Sequence, residues 1–195
     1  MRTSLEHQAL ITENSQYVAN IRELVKLTGL DITATAIEIG PGEGEYLTEL
    51  AAHFTRVIAV DNSASMLALA KNSAAKQQLN NIQFIEGEPS DAADQNIKGD
   101  LVVCNMVLHH IASPAAVFQH TRRLLLPGGF MLVAELCPHD QQWVKANCGD
   151  LWFGFEPGDL QHWAAAAGLE VRQSLYLSLR NGFQVQLHLF QNNYD

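Results

Sequence analysis

No run of lysines or arginines occurs in this sequence, and its 12 basic residues are outnumbered by 21 acidic ones, for a net charge of −9. A protein that grips DNA or RNA by neutralising phosphates needs the opposite balance, at least locally, so nucleic acid is excluded as the expected partner. No apolar stretch approaches the roughly 20 residues that span a bilayer. The start, Met1-Arg-Thr-Ser-Leu-Glu-His7, is polar and lacks the apolar stretch of a secretory signal. No membrane partner is expected either. Cysteine is scarce: Cys104, Cys137 and Cys148 are odd in number, far apart and form no Cys-x-x-Cys pair. Cys104 sits in an apolar run and reads as a reduced core thiol. These absences describe a cytoplasmic, reduced protein without a disulfide framework. Nothing in the pattern sets an oligomeric state.

What is present is an ordinary globular composition, 47% hydrophobic and 17% charged over 195 residues, enough for one domain spanning 1–195 with a sheet covered on both faces. Tyr17, Val18, Ile21, Leu24, Val25 and Leu27 recur at three- and four-residue spacing and predict a helix within an N-terminal segment, 1–30. Strands are predicted over 34–39, 56–60 and 81–85, with helices over 43–54 and from Ser63 between them. Asp100-Leu-Val-Val-Cys-Asn105 is nearly all apolar, as a central parallel strand buried on both faces requires. A helix over 114–125, the Pro127-Gly-Gly129 turn and a strand over 130–134 follow. Two further helices, 141–147 and 159–167, lie in a segment, 138–168, that would cover the acceptor. Alternating runs over 169–179 and 183–190 flank Asn181-Gly182, a hairpin signal. The expected fold is α/β, a doubly wound, mostly parallel seven-stranded sheet with an antiparallel C-terminal hairpin.

Open sheets of this kind bind ligands beyond the carboxyl ends of their strands. The first strand runs into Glu38-Ile-Gly40-Pro41-Gly42-Glu43-Gly44, which is Gly-x-Gly-x-Gly rather than the Gly-x-Gly-x-x-Gly of dinucleotide binders. Glu38, Glu43 and Glu45 would repel a pyrophosphate, and the same charge suits a ligand carrying an ammonium and a sulfonium. A nicotinamide-dependent dehydrogenase is disfavoured on that ground. Asp61 ends the second strand, where an acid can accept both hydroxyls of a ribose; it also reads as an N-terminal acid of the helix that Ser63 caps. Gly87-Glu88-Pro89 follows the third strand, with Glu88 either near an adenine amino group or in solvent. Asn105 ends the fourth.

Glu38-Ile-Gly-Pro-Gly-Glu-Gly44, Val60-Asp-Asn-Ser-Ala-Ser-Met66, the stretch from Asp100 to His110 and Leu126-Pro-Gly-Gly129 stand in the order and spacing of class I S-adenosylmethionine-dependent methyltransferases, which this chain resembles from about Ala34 to Ala134. The resemblance implies that Glu38 and the glycines (Gly40, Gly42 and Gly44, with Pro41) hold the methionine portion of S-adenosylmethionine and Asp61 its ribose. Asn62 and Met66 would flank the adenine, Glu88 would meet its amino group beside Gly87 and Pro89, and Asn105 would face the methionine side. The family's usual acid in the adenine loop is Asp, so Glu88 is a departure. Gln142-Trp-Val-Lys145, Gly149-Asp-Leu-Trp-Phe-Gly-Phe155 and Arg180-Asn-Gly-Phe-Gln-Val185 further resemble the methyltransferase-like domain fused behind ArsR-type regulators in bacteria. The segment before Ala34 is too short for a winged helix of its own.

The resemblance implies an enzyme that moves the sulfonium methyl to a small-molecule acceptor and releases S-adenosylhomocysteine. His109 and His110 follow Asn105, and either could accept a proton at neutral pH; packing and hydrogen bonding at the rim is the competing reading. Their spacing does not suggest a metal site. Asn105-Met-Val-Leu108 is not the Asn/Asp-Pro-Pro-Tyr/Phe signature of enzymes that methylate amide or exocyclic base nitrogens. Trp143, Trp152, Phe153 and Phe155 form either an apolar lid over the acceptor or a core cluster. The alternative function is a non-catalytic module that senses S-adenosylmethionine or S-adenosylhomocysteine.

Overall fold

The computed structural model describes residues 15–179 and 182–193. Helix α1 (Ser15–Leu27) buries Tyr17, Ile21, Leu24 and Val25, the stripe its periodicity predicts. Five parallel strands follow: β1 (Thr35–Ile39), β2 (Arg56–Asp61), β3 (Ile82–Glu86), β4 (Gly99–Asn105) and β5 (Leu125–Leu136). Between them run α2 (Glu45–His53), α3 (Ala64–Lys76), α4 (Pro89–Asp94) and α5 (Pro114–Leu124). The tail supplies α6 (Trp143–Cys148), α7 (Pro157–Ala166) and the antiparallel pair β6 (Leu169–Ser178) and β7 (Gln184–Asn192).

The seven strands stand in the order β3-β2-β1-β4-β5-β7-β6, parallel from β3 to β5 and antiparallel at β5–β7 and β7–β6. The chain reverses its direction of winding between β1 and β4, so a crevice opens beyond their carboxyl ends, where ligands of such sheets bind. β4 is central and buried almost throughout, which its apolar run anticipates. The expected sheet and hairpin are both present. Asn181 lies outside the described residues, but Leu179 N donates to Phe183 O at 2.8 Å across the turn, and Gly182 sits at φ +89°.

Alternate residues of each strand feed two cores. Ala36, Ala59, Val103 and Leu132 face α1, α2 and α3, whereas Ile37, Ile58, Val102 and Met131 face α4, α5 and α7. Helix α4 is absent from the expected elements. Its sequence, Pro-Ser-Asp-Ala-Ala-Asp, buries only Pro89 and Ala92 and so carries no helical periodicity to read. Its first turn is held instead by the Glu88 N–H donating to the Asp91 carboxylate at 2.8 Å. No helix among the described residues is long and apolar enough to cross a membrane.

Phe118 of α5 ties the second core together, with its ring centroid 5.9 Å from those of both Trp163 and Phe190. Phe118→Ala is expected to destabilise the fold by about 3–5 kcal/mol, measured by urea unfolding; a loss under about 1 kcal/mol would mean that α5 and α7 do not pack as described.

Candidate cofactor and acceptor site

A cavity of about 300 Å³ lies over the carboxyl ends of β1, β2, β3 and β4. Gly40 and Gly42, then Asp61, Asn62 and Met66, then Gly87, Glu88 and Pro89, and finally His110 line it. Four segments distant in sequence thus meet at one sheet edge, because each follows a parallel strand and all such strands end on the same side.

The glycine loop is close-packed rather than loose. Gly40 has φ +65°, and a Cβ there would lie 2.2 Å from Val107 Cγ2, so no side chain fits. The Gly40 N–H donates to Val60 O at 2.8 Å, and Gly44 N donates to Pro41 O at 2.9 Å, which folds the loop back onto the sheet. Gly44 also lets α2 approach α3, since its Cβ would meet Ala70 Cα at 3.2 Å. Pro41 and Gly44 therefore shape the loop from behind and do not line the cavity.

Asp61 accepts from the Ser63 N–H at 2.9 Å, and Ser63 Oγ caps α3 through Met66 N at 3.3 Å. Asp61 thus braces the helix start and also lines the cavity. Partial burial raises its pKa, while the Ser63 and Gly42 amides pull the other way. The Asn62 amide donates to Glu88 Oε1 at 2.6 Å across the cavity mouth, so Glu88 is engaged rather than idle in solvent.

Two expected residues sit beneath the cavity. Glu38 is sealed in the fold, its Oε2 has no hydrogen-bond partner, and burial pushes its pKa up to about 8. Asn105 is also buried, and its Oδ1 accepts from the Tyr17 hydroxyl of α1. Tyr17 was expected only as a core residue; its reach to the end of β4 has no signature in a helical stripe.

The two histidines part company. His109 is 1% exposed, and its Nδ1 lies 2.6 Å from Glu135 Oε1. Glu135 also accepts from the peptide N–H of His109 at 3.1 Å and from that of Leu136 at 2.9 Å. Burial lowers the His109 pKa, but the charge and hydrogen bond of Glu135, with the charge of Asp150, outweigh it and the net direction is upward. His110 is half-buried, faces the cavity and places Nδ1 3.7 Å from Asp150 Oδ1. The Asp150 carboxyl is sealed, neither oxygen accepts a hydrogen bond, and burial raises its pKa to about 6 against the pull of His109. Sequence spacing gave no metal cluster, yet folding brings one ligand atom each of His109, His110 and Asp150 within 4.8 Å of one another.

Sequence reasoning missed Met106, Val107, Ile111 and Cys148 as cavity walls. Met106 adopts φ +54°, uncommon for a non-glycine residue, and donates its N–H to Ala134 O at 2.8 Å. Glu135 and Asp150 were missed as well. An acid inside the apolar run Phe130-Met-Leu-Val-Ala-Glu-Leu136 was the one available signal, since a buried carboxylate there needs a partner. Of the four lid aromatics, Phe155 is a core residue, 3% exposed among Phe118, Leu160 and Trp163. Trp152 is 41% exposed and donates its indole N–H at 2.9 Å to the carbonyl of Ile111, itself a cavity wall. Trp143 and Phe153 pack against the first core beside Phe183 and His139.

Residues 37–131 match the family described as Methyltransferase domain. A ubiquinone biosynthesis O-methyltransferase of Coxiella burnetii is 27% identical over 168 residues, covering 76% of this chain and 70% of that protein. Among solved structures, the N-methyltransferase NodS of Bradyrhizobium japonicum in complex with S-adenosyl-L-homocysteine superposes with a TM-score of 0.70 at 16% identity, covering 93% of this chain and 89% of that one. The [4+2]-cyclase SpnF gives 0.77 at 14% identity, covering 92% and 82%. The fold is a Rossmann-like fold, the one these solved structures share. Over residues 37–131 the chain is thus similar to the Methyltransferase domain family, and a methyltransferase stands among its relatives.

Glu38 makes stability depend on pH in a defined sense. Its carboxyl stays neutral in the fold up to about 8 but ionises near 4.5 once exposed, so the folded state holds the extra proton between these values. Stability is fullest below the lower value and is lost as pH rises through the upper one, by an amount on the order of a few kcal/mol. Urea unfolding of the ligand-free protein and of Glu38→Gln across this window should show the falling slope in the first and a flatter one in the second. Parallel slopes would remove Glu38 as the cause.

Proposed function

We propose that this protein transfers a methyl group from S-adenosylmethionine to a small organic acceptor, with the donor lying over the ends of β1, β2 and β3. The observation that carries this reading is Glu38, a sealed carboxylate with an unpartnered oxygen, two residues before the glycine that forms the cavity wall. The methionine portion of the cofactor brings an ammonium that compensates such a group, which a pyrophosphate-bearing dinucleotide cannot do. Gly40 and Gly42 give the donor close access to backbone, and Pro41 and Gly44 hold the loop that presents them. Asp61 takes the ribose hydroxyls. Asn62 and Met66 bracket the adenine, and Gly87, Glu88 and Pro89 close its edge, where the Asn62–Glu88 hydrogen bond sets the spacing. Asn105, oriented by Tyr17, supports the methionine end from beneath.

The cofactor supplies an electrophilic methyl; its bond to sulfur breaks as the bond to the acceptor forms, and S-adenosylhomocysteine leaves. The chain aligns the two partners and excludes water. His110, a residue of the cavity wall, receives the acceptor's proton, and His109, fixed by Glu135, positions it. The 138–168 segment covers the acceptor side, with Trp152 at its edge. An oxygen nucleophile is supported by the Coxiella relative, whose name gives it O-methylation in ubiquinone biosynthesis. The whole chain acts as one domain in the cytoplasm.

Calorimetric titration with S-adenosylhomocysteine tests the donor site. Binding in the micromolar range is expected, weakened by about tenfold or more in Asp61→Ala. Absence of binding to the intact protein would end the proposal. Tight binding with no methyl transfer to phenols, amines or a metabolite extract would move the protein to the sensing role that its tail, resembling ArsR-linked domains, offers.

A further inference from the structure

We propose that His109, His110 and Asp150 form a binding site for a first-row divalent transition cation at the acceptor end of the cavity, with Glu135 as its outer anchor. Three independent features converge. One ligand atom from each residue lies within 4.8 Å of the others, and the His110–Asp150 separation is 3.7 Å. Ligand atoms around a tetrahedral ion with bonds of about 2.0–2.2 Å stand roughly 3.4 Å apart, so a small rotation of the half-buried His110 ring closes the set.

Second, His109 is held as metal-binding histidines are. Glu135 Oε1 at 2.6 Å binds Nδ1, and the same carboxylate is fastened by the peptide N–H groups of His109 and Leu136. That fixes the proton on Nδ1 and leaves Nε2 as the ring's ligand atom, the carboxylate–histidine–metal arrangement. Third, Asp150 is buried without a hydrogen bond to either oxygen. A buried carboxylate without hydrogen bonds is costly, and a cation offsets that cost. The loop that carries it is not adventitious: Leu151 N and Trp152 N both donate to His109 O, at 2.8 and 3.2 Å, and hold Asp150 against the imidazoles.

Two imidazoles and one carboxylate select zinc, cobalt, nickel or ferrous iron over magnesium or calcium, which take all-oxygen shells. His110, Ile111 and Cys148 line the cavity, so the ion's remaining positions face the space left for the acceptor. An acceptor oxygen would enter there as a ligand, and an occupied site would commit His110 to the metal instead of to proton transfer. Only this last consequence rests on the methyl-transfer reading; the binding of the ion stands on its own geometry.

Chelator-treated protein titrated with zinc should take up a single equivalent, and Asp150→Asn and His110→Ala should each weaken it by about 10- to 100-fold. With cobalt, visible d–d bands should appear without the near-ultraviolet charge transfer of a thiolate ligand, which excludes binding through the cysteines. Titration with S-adenosylhomocysteine runs beside it: affinity unchanged in Asp150→Asn separates loss of the ion from loss of the donor site. No stoichiometric uptake, or equal affinity in the intact protein and both variants, overturns the proposal.

Discussion

A buried carboxyl group with one unpartnered oxygen, Glu38, is the constraint on which the site depends. Glu38 stands at the end of the central pair β1–β4, beneath the glycine loop, where burial holds its proton to about pH 8. An apolar residue would pack there at no such cost, so the position is unfavourable for the free protein and favourable only with a cation beside it. Much around it is consistent with that role. Gly40 brings backbone within reach of whatever lies above, and Tyr17 and Asn105 add a buried polar pair beneath the cavity.

The sheet explains why a strained site of this kind is held at all. Parallel strands buried on both faces give β1 and β4 little freedom, and the residues at their ends inherit that rigidity. Asp61, Asn62 and Glu88 are placed by the starts of two helices, and Met106, in a left-handed conformation, is tied to β5 through Ala134. The tail closes the opposite side. Phe155 N donates to Leu136 O, and Gly154 passes so near Cys137 that a Cβ would lie 2.2 Å from its carbonyl oxygen. That contact brings the 149–155 loop, and Asp150 with it, against the histidines.

Much of this was legible in the sequence. The period-two and apolar runs marked all seven strands, and the residues after β1, β2 and β3 could be read as one edge, because parallel topology requires their ends to coincide. What escaped had no local pattern. Helix α4 has two buried residues and no stripe. Met106 gives no hint of a positive φ. His109 and Asp150 are forty-one positions apart and meet only because the tail folds back over β5. Phe155 could not be assigned to lid or core until α7 was placed against α5. Glu135 is the instructive case, since an acid within an apolar strand was itself a sign of a buried polar partner.

The central claim is that Glu38 awaits the positive charge of the donor's amino-acid portion. Calorimetric titration of S-adenosylhomocysteine at neutral pH, in buffers of differing ionisation enthalpy, measures the protons exchanged on binding. The account predicts release of roughly one proton as Glu38 ionises beside the ligand, and its loss in Glu38→Gln. Binding with no proton release, or with the same release in the variant, would contradict it.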